Sequence, residues 1–239
     1  MSTGATSDLN AKSKFEIQPL GDSALIVEFA ATSADDALRQ IHSAAQIVGQ
    51  SSFVGLIEAV PGFSSLTVHY DPLQANWPVM RERVADCISK MPAAKFPKGK
   101  QVEIPVCYDA EFALDLSLVS QHCRLSLEAI IALHSAAKYT VQLIGFAPGF
   151  CYLAGMPKEL TTPRLSVPRV RVPGGSIGIG QNQTGIYPIE IPGGWNLIGR
   201  TPMRMFRPED NPPTTLLPGD QVSFKRISKS DFDLWQDSM

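Results

Sequence analysis

Between Thr161 and Arg207 the chain carries six arginines (Arg164, Arg169, Arg171, Arg200, Arg204 and Arg207), no lysine, and one acid, Glu190. Arginine offers a rigid planar fork that matches carboxylate and phosphate, so an arginine-only set points to anion recognition. In TPRLSVPRVRVPGG the prolines enforce extended backbone. Arg169 and Arg171 then share one face of a strand, and Val170 and Val172 the other. That pair is the expected anion clamp. The competing reading is structural: the guanidinium groups bond loop carbonyls or pair with acids from another domain.

The same segment lacks what other chemistries need. Proton transfer and Mg²⁺ handling require carboxylates or histidine, so a partner chain has to complete any site built here. GGSIGIGQ, Gly174 to Gln181, has no Lys-Ser/Thr for a phosphate loop. Gly178 and Gly180 lack a third glycine at dinucleotide spacing, and the cluster reads as turns. There is no GxSxG elbow and no HExxH pair, and His42, His69, His122 and His134 show no metal-ligand spacing. On these grounds neither a self-sufficient hydrolase nor a metalloenzyme is expected, and no metal of the chain's own.

Two stretches are rich in glycine, proline and aromatics: GFAPGFCYLAGMP, Gly145 to Pro157, and NQTGIYPIEIPGGWNLIGRTP, Asn182 to Pro202. They form either the turns of a β-rich domain or the walls of a pocket. In the pocket reading Gly149, Phe150 and Tyr152 shape one wall, with Gln183, Thr184, Tyr187 and Trp195 opposite. Plain barrel core is the competing reading for Phe150, Tyr187 and Trp195. Cys151 is read as a small buried hydrophobe, with a reactive thiol as the alternative.

These residues need a scaffold. With 239 residues, the chain is long enough for one large or two modest domains. Its formal charge of −2 gives no general pull toward nucleic acid or an anionic membrane, so any anion affinity is local. The polar start is no signal peptide, and no apolar run reaches membrane-spanning length. Cys87, Cys107, Cys123 and Cys151 form no CxxC pair and read as free thiols in a reducing cytoplasm.

Along the chain, residues 1–14 read as a disordered tail. FEIQPLGDSALIVEFA reads as two strands around a turn at Leu20–Asp22. Ser33 can cap a helix, with Asp36 as its capping-box partner, and apolar positions from Ala37 to Val48 keep helical spacing. FVGLIEAVPG and SSLTVHYDP are strands joined at Pro61–Gly62, WPVMRERVADCISKM is a helix, and QVEIPVCY is a strand. This order suggests a ferredoxin-like α/β domain over 15–100, with linker composition at Met91–Lys100. The strand at Gln101 either closes this domain or opens the next. Beyond it, one helix at about Leu127–Ala137 precedes short strands with frequent Gly/Pro turns, which favours a β-barrel over 101–228. Residues 229–239 read as a loosely attached end.

In series, PLGDSALIVEF, IPVCYDAEFALDL, H-x4-YTV-x3-GFAPGF-x-YLAGMP, TPR-x4-PR-x-RVPGGS, QTGIYPIEIPGGWNLIGRTP and LLPGDQVSF resemble the B subunit of bacterial 5-oxoprolinase. That family is also called allophanate hydrolase subunit 1 or KipI-like kinase inhibitor. The resemblance runs from about Ile17 to Phe224. It implies a ferredoxin-like α/β domain followed by a cyclophilin-like barrel, direct assembly with a C subunit, and action with an A subunit. The implied joint reaction is ATP-driven opening of the 5-oxoproline lactam to glutamate, with Mg²⁺ and ATP bound by the assembled complex. His134 stands where the family has a histidine before its YTV strand, either as a proton carrier or as a packed, hydrogen-bonded residue. Cys151 replaces a usual proline, and Gln181–Asn182 a common Gly–Gly. Relatives also suggest two other roles: docking on a sensor histidine kinase, and a carboxyltransferase-like part in urea metabolism.

Overall fold

In a computed structural model, residues 15–92 and 99–237 are described, with the chain divided into two compact units, Met1–Phe96 and Pro97–Met239. The tail expected over 1–14 and most of the expected linker lie outside the described residues.

The first unit holds strands β1 (Phe15–Pro19) and β2 (Ala24–Phe29), helix α1 (Ala34–Gly49), strands β3 (Leu56–Pro61) and β4 (Ser65–Tyr70), and helix α2 (Trp77–Ser89). The strands form one antiparallel sheet in the order β1-β2-β4-β3. Side-chain alternation gives it a core face: Leu25 and Val27 of β2 and Leu66, Val68 and Tyr70 of β4 are buried. The helices cover that face, with Met80, Val84 and Ile88 recurring every four residues along α2. Both helix starts are capped, α1 by the expected Ser33 and α2 by Asn76. Ser33 Oγ accepts from the Asp36 N–H at 3.1 Å, and Asn76 Oδ1 from the Val79 N–H at 3.2 Å. The Asp36 carboxylate reaches back to the N–H of Thr32, one residue before the cap. The edge place beside β2 is filled by β1, from the N-terminal side.

The strand at Gln101 belongs elsewhere. As β5 (Gln101–Val106) it runs parallel to the last strand of the second unit, β13 (Gln221–Arg226). Between them in sequence lie helices α3 (Leu116–Cys123) and α4 (Leu127–Ala136), strands β6 (Tyr139–Ile144), β7 (Cys151–Ala154), β8 (Arg169–Val172), β9 (Ser176–Gly180), β10 (Gln183–Ile186), β11 (Ile191–Gly193) and β12 (Asn196–Arg200). Seven strands make one sheet in the order β12-β9-β10-β7-β6-β13-β5. Its two ends meet where Cys107, just past β5, exchanges two 2.9 Å backbone hydrogen bonds with Arg200. The sheet is therefore barrel-like and nearly closed. Strands β8 and β11 form a separate two-stranded ribbon.

Two elements depart from expectation. Helix α3, absent from the expected elements, has an aspartate at its N-cap, but the Asp115 carboxylate makes no capping bond and is engaged elsewhere. The end of the chain, expected to be loose, forms helix α5 (Lys229–Asp237), held by Phe232, 1% exposed and packed at a tilt against Phe112 with ring centroids 4.4 Å apart. A large buried aromatic anchors a short helix that its own propensity would not sustain.

Candidate functional site

The strands β7, β9 and β10 have two contrasting faces. Ile177, Ile179, Ile186, Cys151 and Leu153 point into the main core of the second unit. The intervening positions on β9 and β10 are Gly178, Gly180 and Gly185, and they look outward. A Cβ on Gly180 would stand 2.5 Å from the Trp195 indole nitrogen, and one on Gly178 3.0 Å from Trp195 Cβ. The alternation Ile-Gly-Ile-Gly thus clears a flat bed on which Trp195 lies. The glycines expected to be turns are strand interior, and strict alternation with isoleucine is the sign of it.

On this bed Phe150, Tyr187, Trp195 and Leu197 form a second cluster, with Tyr152 packed against it. The rings meet edge to face: Phe150 lies 5.1 Å from Tyr187 and 5.6 Å from Trp195, and Tyr152 5.7 Å from Trp195, centroid to centroid. The loop from β6 to β7 aims Phe150. Its turn is closed by the Phe150 N–H donating to the Ala147 carbonyl, and Gly149 (φ +82°) supplies the left-handed residue it needs. Phe146 also sits at positive φ (+68°) and stands 65% exposed at the rim.

Above the aromatics opens a cavity of about 500 Å³. Its walls are Phe150, Tyr152, Tyr187 and Trp195, with Pro168 and Ile191 from the ends of the ribbon and Gly193–Gly194 beside them. Among the described residues, Arg164 is the one charged group in the lining, and no carboxylate or histidine belongs to it. The guanidinium carbon of Arg164 lies 5.9 Å from the Trp195 ring centroid. Burial pushes the Tyr152 and Tyr187 hydroxyls above their ordinary range, opposed by the positive charge of Arg164.

Of the expected site residues, Phe150, Tyr152, Tyr187 and Trp195 line this cavity together, while Gly149 supports the loop behind Phe150. The others stand elsewhere. Arg169 donates from Nη2 to Asp115 Oδ1 at 2.7 Å, while Asp115 Oδ2 accepts from the Leu197 N–H, also at 2.7 Å. One carboxylate thus ties the ribbon to the strand that follows Trp195. Arg171 is 80% exposed and 3.7 Å from Glu190. The alternation expected along RVRV is broken, with Val170 exposed and Val172 buried. Gln183 opens β10 opposite Gly180, outside the lining.

Thr184 points inward, and with it His134. The Thr184 hydroxyl donates to the Gly178 carbonyl at 3.0 Å, so toward His134 Nε2, 3.2 Å away, it can only accept. Nε2 therefore carries the proton, and Nδ1 accepts from the Tyr108 hydroxyl at 2.9 Å. The ring is stacked on Phe224 and wholly buried, and burial lowers its pKa to about 3. It is a neutral, saturated core group. Cys151 is buried in the core of the second unit, its thiol pushed up to about 12 by burial. Gln181 adopts φ +57° despite its side chain, held by a pair of backbone hydrogen bonds to Thr162.

Sequence reasoning misses Arg164 and Asp115. Arg164 is one of six arginines, and no spacing marks it out from the rest. Asp115 is 54 residues from its partner, beyond any local pattern.

Among the described residues no cluster of His, Cys, Asp and Glu can hold a metal ion, and no helix is long and apolar enough to cross a membrane. Residues 15–216 match the family model for the carboxyltransferase domain, subdomain C and D. The chain is 40% identical over 238 residues to the B subunit of 5-oxoprolinase from Bacillus subtilis (strain 168), covering 94% of this chain and 98% of that one. It is 39% identical to the B subunit of 5-oxoprolinase from Haemophilus influenzae, covering 87% and 96%. The crystal structure of TTHA0988 matches with a TM-score of 0.75 and 35% identity over 87% of this chain and 41% of that one.

Proposed function

The chain belongs to the family of 5-oxoprolinase B subunits, and from that premise we propose that it supplies the lactam-binding part of an ATP-dependent 5-oxoprolinase. The assembly opens 5-oxoproline to glutamate. The observation that carries this reading is the make-up of the cavity: aromatic walls, glycine beds and one cation, with no carboxylate or accessible imidazole among the described lining residues. Such a site can desolvate and orient a compact polar ring. It lacks a group poised near neutral pH to move the protons that ring opening demands, since burial pushes its two hydroxyls, Tyr152 and Tyr187, above their ordinary range. His134, neutral and saturated inside the core, is not that group.

The division of labour follows. This chain binds and orients the lactam, and a C subunit in direct contact, acting with an A subunit, provides the acid–base groups. Mg²⁺ and ATP belong to the assembled complex. The residues lining this cavity offer no oxygen donor set for Mg²⁺, so they do not fit the metal, and no step is derived through it. The two units are read as a ferredoxin-like domain, with β1 in the fourth-strand place, and a cyclophilin-like barrel. The complex is assigned to the cytoplasm, where ATP is available.

The test is reconstitution. The full chain alone should show no 5-oxoproline-dependent ATP hydrolysis, and with its cognate A and C subunits that activity should appear. Turnover by the isolated chain, or none by the full set, overturns the reading.

A further inference from the structure

We infer that Arg164, rather than the Arg169–Arg171 pair, is the residue that selects a carboxylate-bearing ligand in the aromatic cavity. The inference rests on the reading of this cavity as a lactam site and adds to it the group that recognises the acid.

Three observations lead to it. First, the cations of this region are otherwise committed. Arg169 is bound through Nη2 to Asp115 at 2.7 Å and, although its Nη1 is buried without a partner, it lies outside the cavity lining; Arg204 is bound to Glu209 at 2.6 Å, and Arg171 has Glu190 at 3.7 Å. Arg200 donates from Nε to the Gly174 carbonyl at 2.8 Å. Arg207 is outside the cavity lining. Arg164 lines the cavity, and among the described residues no carboxylate lies within ion-pair distance of it.

Second, its base is fixed although no carboxylate holds its side chain. The Pro163 carbonyl accepts from Asn196 Nδ2 at 2.8 Å, and the Leu165 N–H donates to the Gly194 carbonyl at 2.8 Å. Thr162 is laced to Gln181 by a backbone hydrogen bond in each direction. Three residues around Arg164 are thus pinned to the segments that form the cavity floor. A long side chain on so rigid a base loses less entropy when an anion orders it.

Third, the guanidinium lies over Trp195. The ring stabilises the cation without satisfying its N–H donors, which stay available for a carboxylate. A ligand that fits has a small apolar or lactam ring against the aromatics and one carboxylate reaching the mouth. A neutral analogue of the same shape fills the cavity but leaves the fork unpaired.

The test is made in the reconstituted complex, with 5-oxoproline and its carboxamide as paired substrates. In Arg164→Ala the KM for 5-oxoproline should rise roughly ten- to a hundred-fold, the loss expected for charge-assisted hydrogen bonds. The kcat should stay within a few-fold, and the preference for acid over carboxamide should vanish. Arg164→Lys should recover part of that preference, having charge without the fork. An unchanged acid preference in Arg164→Ala overturns the inference while leaving the lactam site standing. If the wild-type complex has no 5-oxoproline-dependent turnover, the functional reading fails instead. Arg164 is then judged by nuclear magnetic resonance on the isolated chain, titrating the Trp195 indole N–H with both compounds. A shift specific to the acid and lost in Arg164→Ala supports the inference, and its absence in the wild type overturns it.

Discussion

The inner and outer faces of β9 and β10 are made by alternate residues of the same two strands, and they do opposite things. Inward, Ile177, Ile179, Thr184 and Ile186 fill space completely, and Thr184 closes a hydrogen-bond chain through His134 to Tyr108. Outward, Gly178, Gly180 and Gly185 give up their side chains so that Trp195, Tyr187 and Phe150 can lie against bare backbone. The inner face has finished its chemistry, whereas the outer face keeps a cavity and an uncommitted cation. Stability and binding are thereby assigned to alternate residues of one strand. A substitution should move one property or the other according to the parity of its position.

The largest effect should come from the inside. His134→Ala removes a fully buried ring and leaves the Tyr108 hydroxyl without its partner, costing about 4 kcal/mol. Urea unfolding of the full chain measures it. A loss below about 1 kcal/mol would mean that the inner face is not the stabilising one.

Acid comes next. The folded His134 stays neutral down to about pH 3, whereas the unfolded residue takes up a proton near its ordinary value of 6.5. The unfolded state therefore binds more protons across this window. Stability, complete above about pH 6.5, falls as pH drops, by up to about 1.4 kcal/mol per unit. His134→Gln should flatten that part of the profile. An equal slope in the variant would assign the acid sensitivity to other groups.

A smaller change in stability, but the decisive one for binding, is expected from outside. Gly180→Ala puts a methyl group where the indole lies, and overpacking of this kind costs about 1–3 kcal/mol. Ligand affinity should fall at least about tenfold as Trp195 is displaced, with the inner network intact. Calorimetric titration beside a melting curve separates the two. If affinity holds while stability drops, parity does not sort the roles.

The smallest effects separate the two arginines of the ribbon. Arg169→Ala leaves a buried Asp115 oxygen unpaired and should cost about 2 kcal/mol. Arg171→Ala, at an exposed pair, should stay within about 0.5 kcal/mol. Equal costs would show that the Asp115 tie does not hold the ribbon.

Much of this is legible in the residues themselves. The two-part layout, the Ser33 cap and the aromatic wall follow from periodicity, capping chemistry and local richness in rings, all of which are short-range signals. The parts that are not legible depend on distant partners. Asp115 looks like an ordinary loop or cap acid until Arg169 and the Leu197 N–H arrive from far along the chain. RVRV promises two arginines on one face, but a ribbon off the main sheet follows its own twist, so strict alternation fails. The glycines of SIGIG suggest turns because glycine usually marks one. Only the aromatics packed on them reveal why a strand would give up its side chains.

The position of β13 has a consequence for how the molecule is made. It sits between β6 and β5 and is the parallel partner of β5 along its whole length, Gln101 to Val106 against Gln221 to Arg226. On the ribosome β5 emerges well before its neighbour, which is separated from it by more than a hundred residues. At about 5–20 residues per second the early strand waits on the order of ten seconds with its hydrogen-bonding edge open. Sheet completion therefore waits for the synthesis of β13, and a message truncated before Gln221 yields a chain whose first barrel strand lacks its parallel partner.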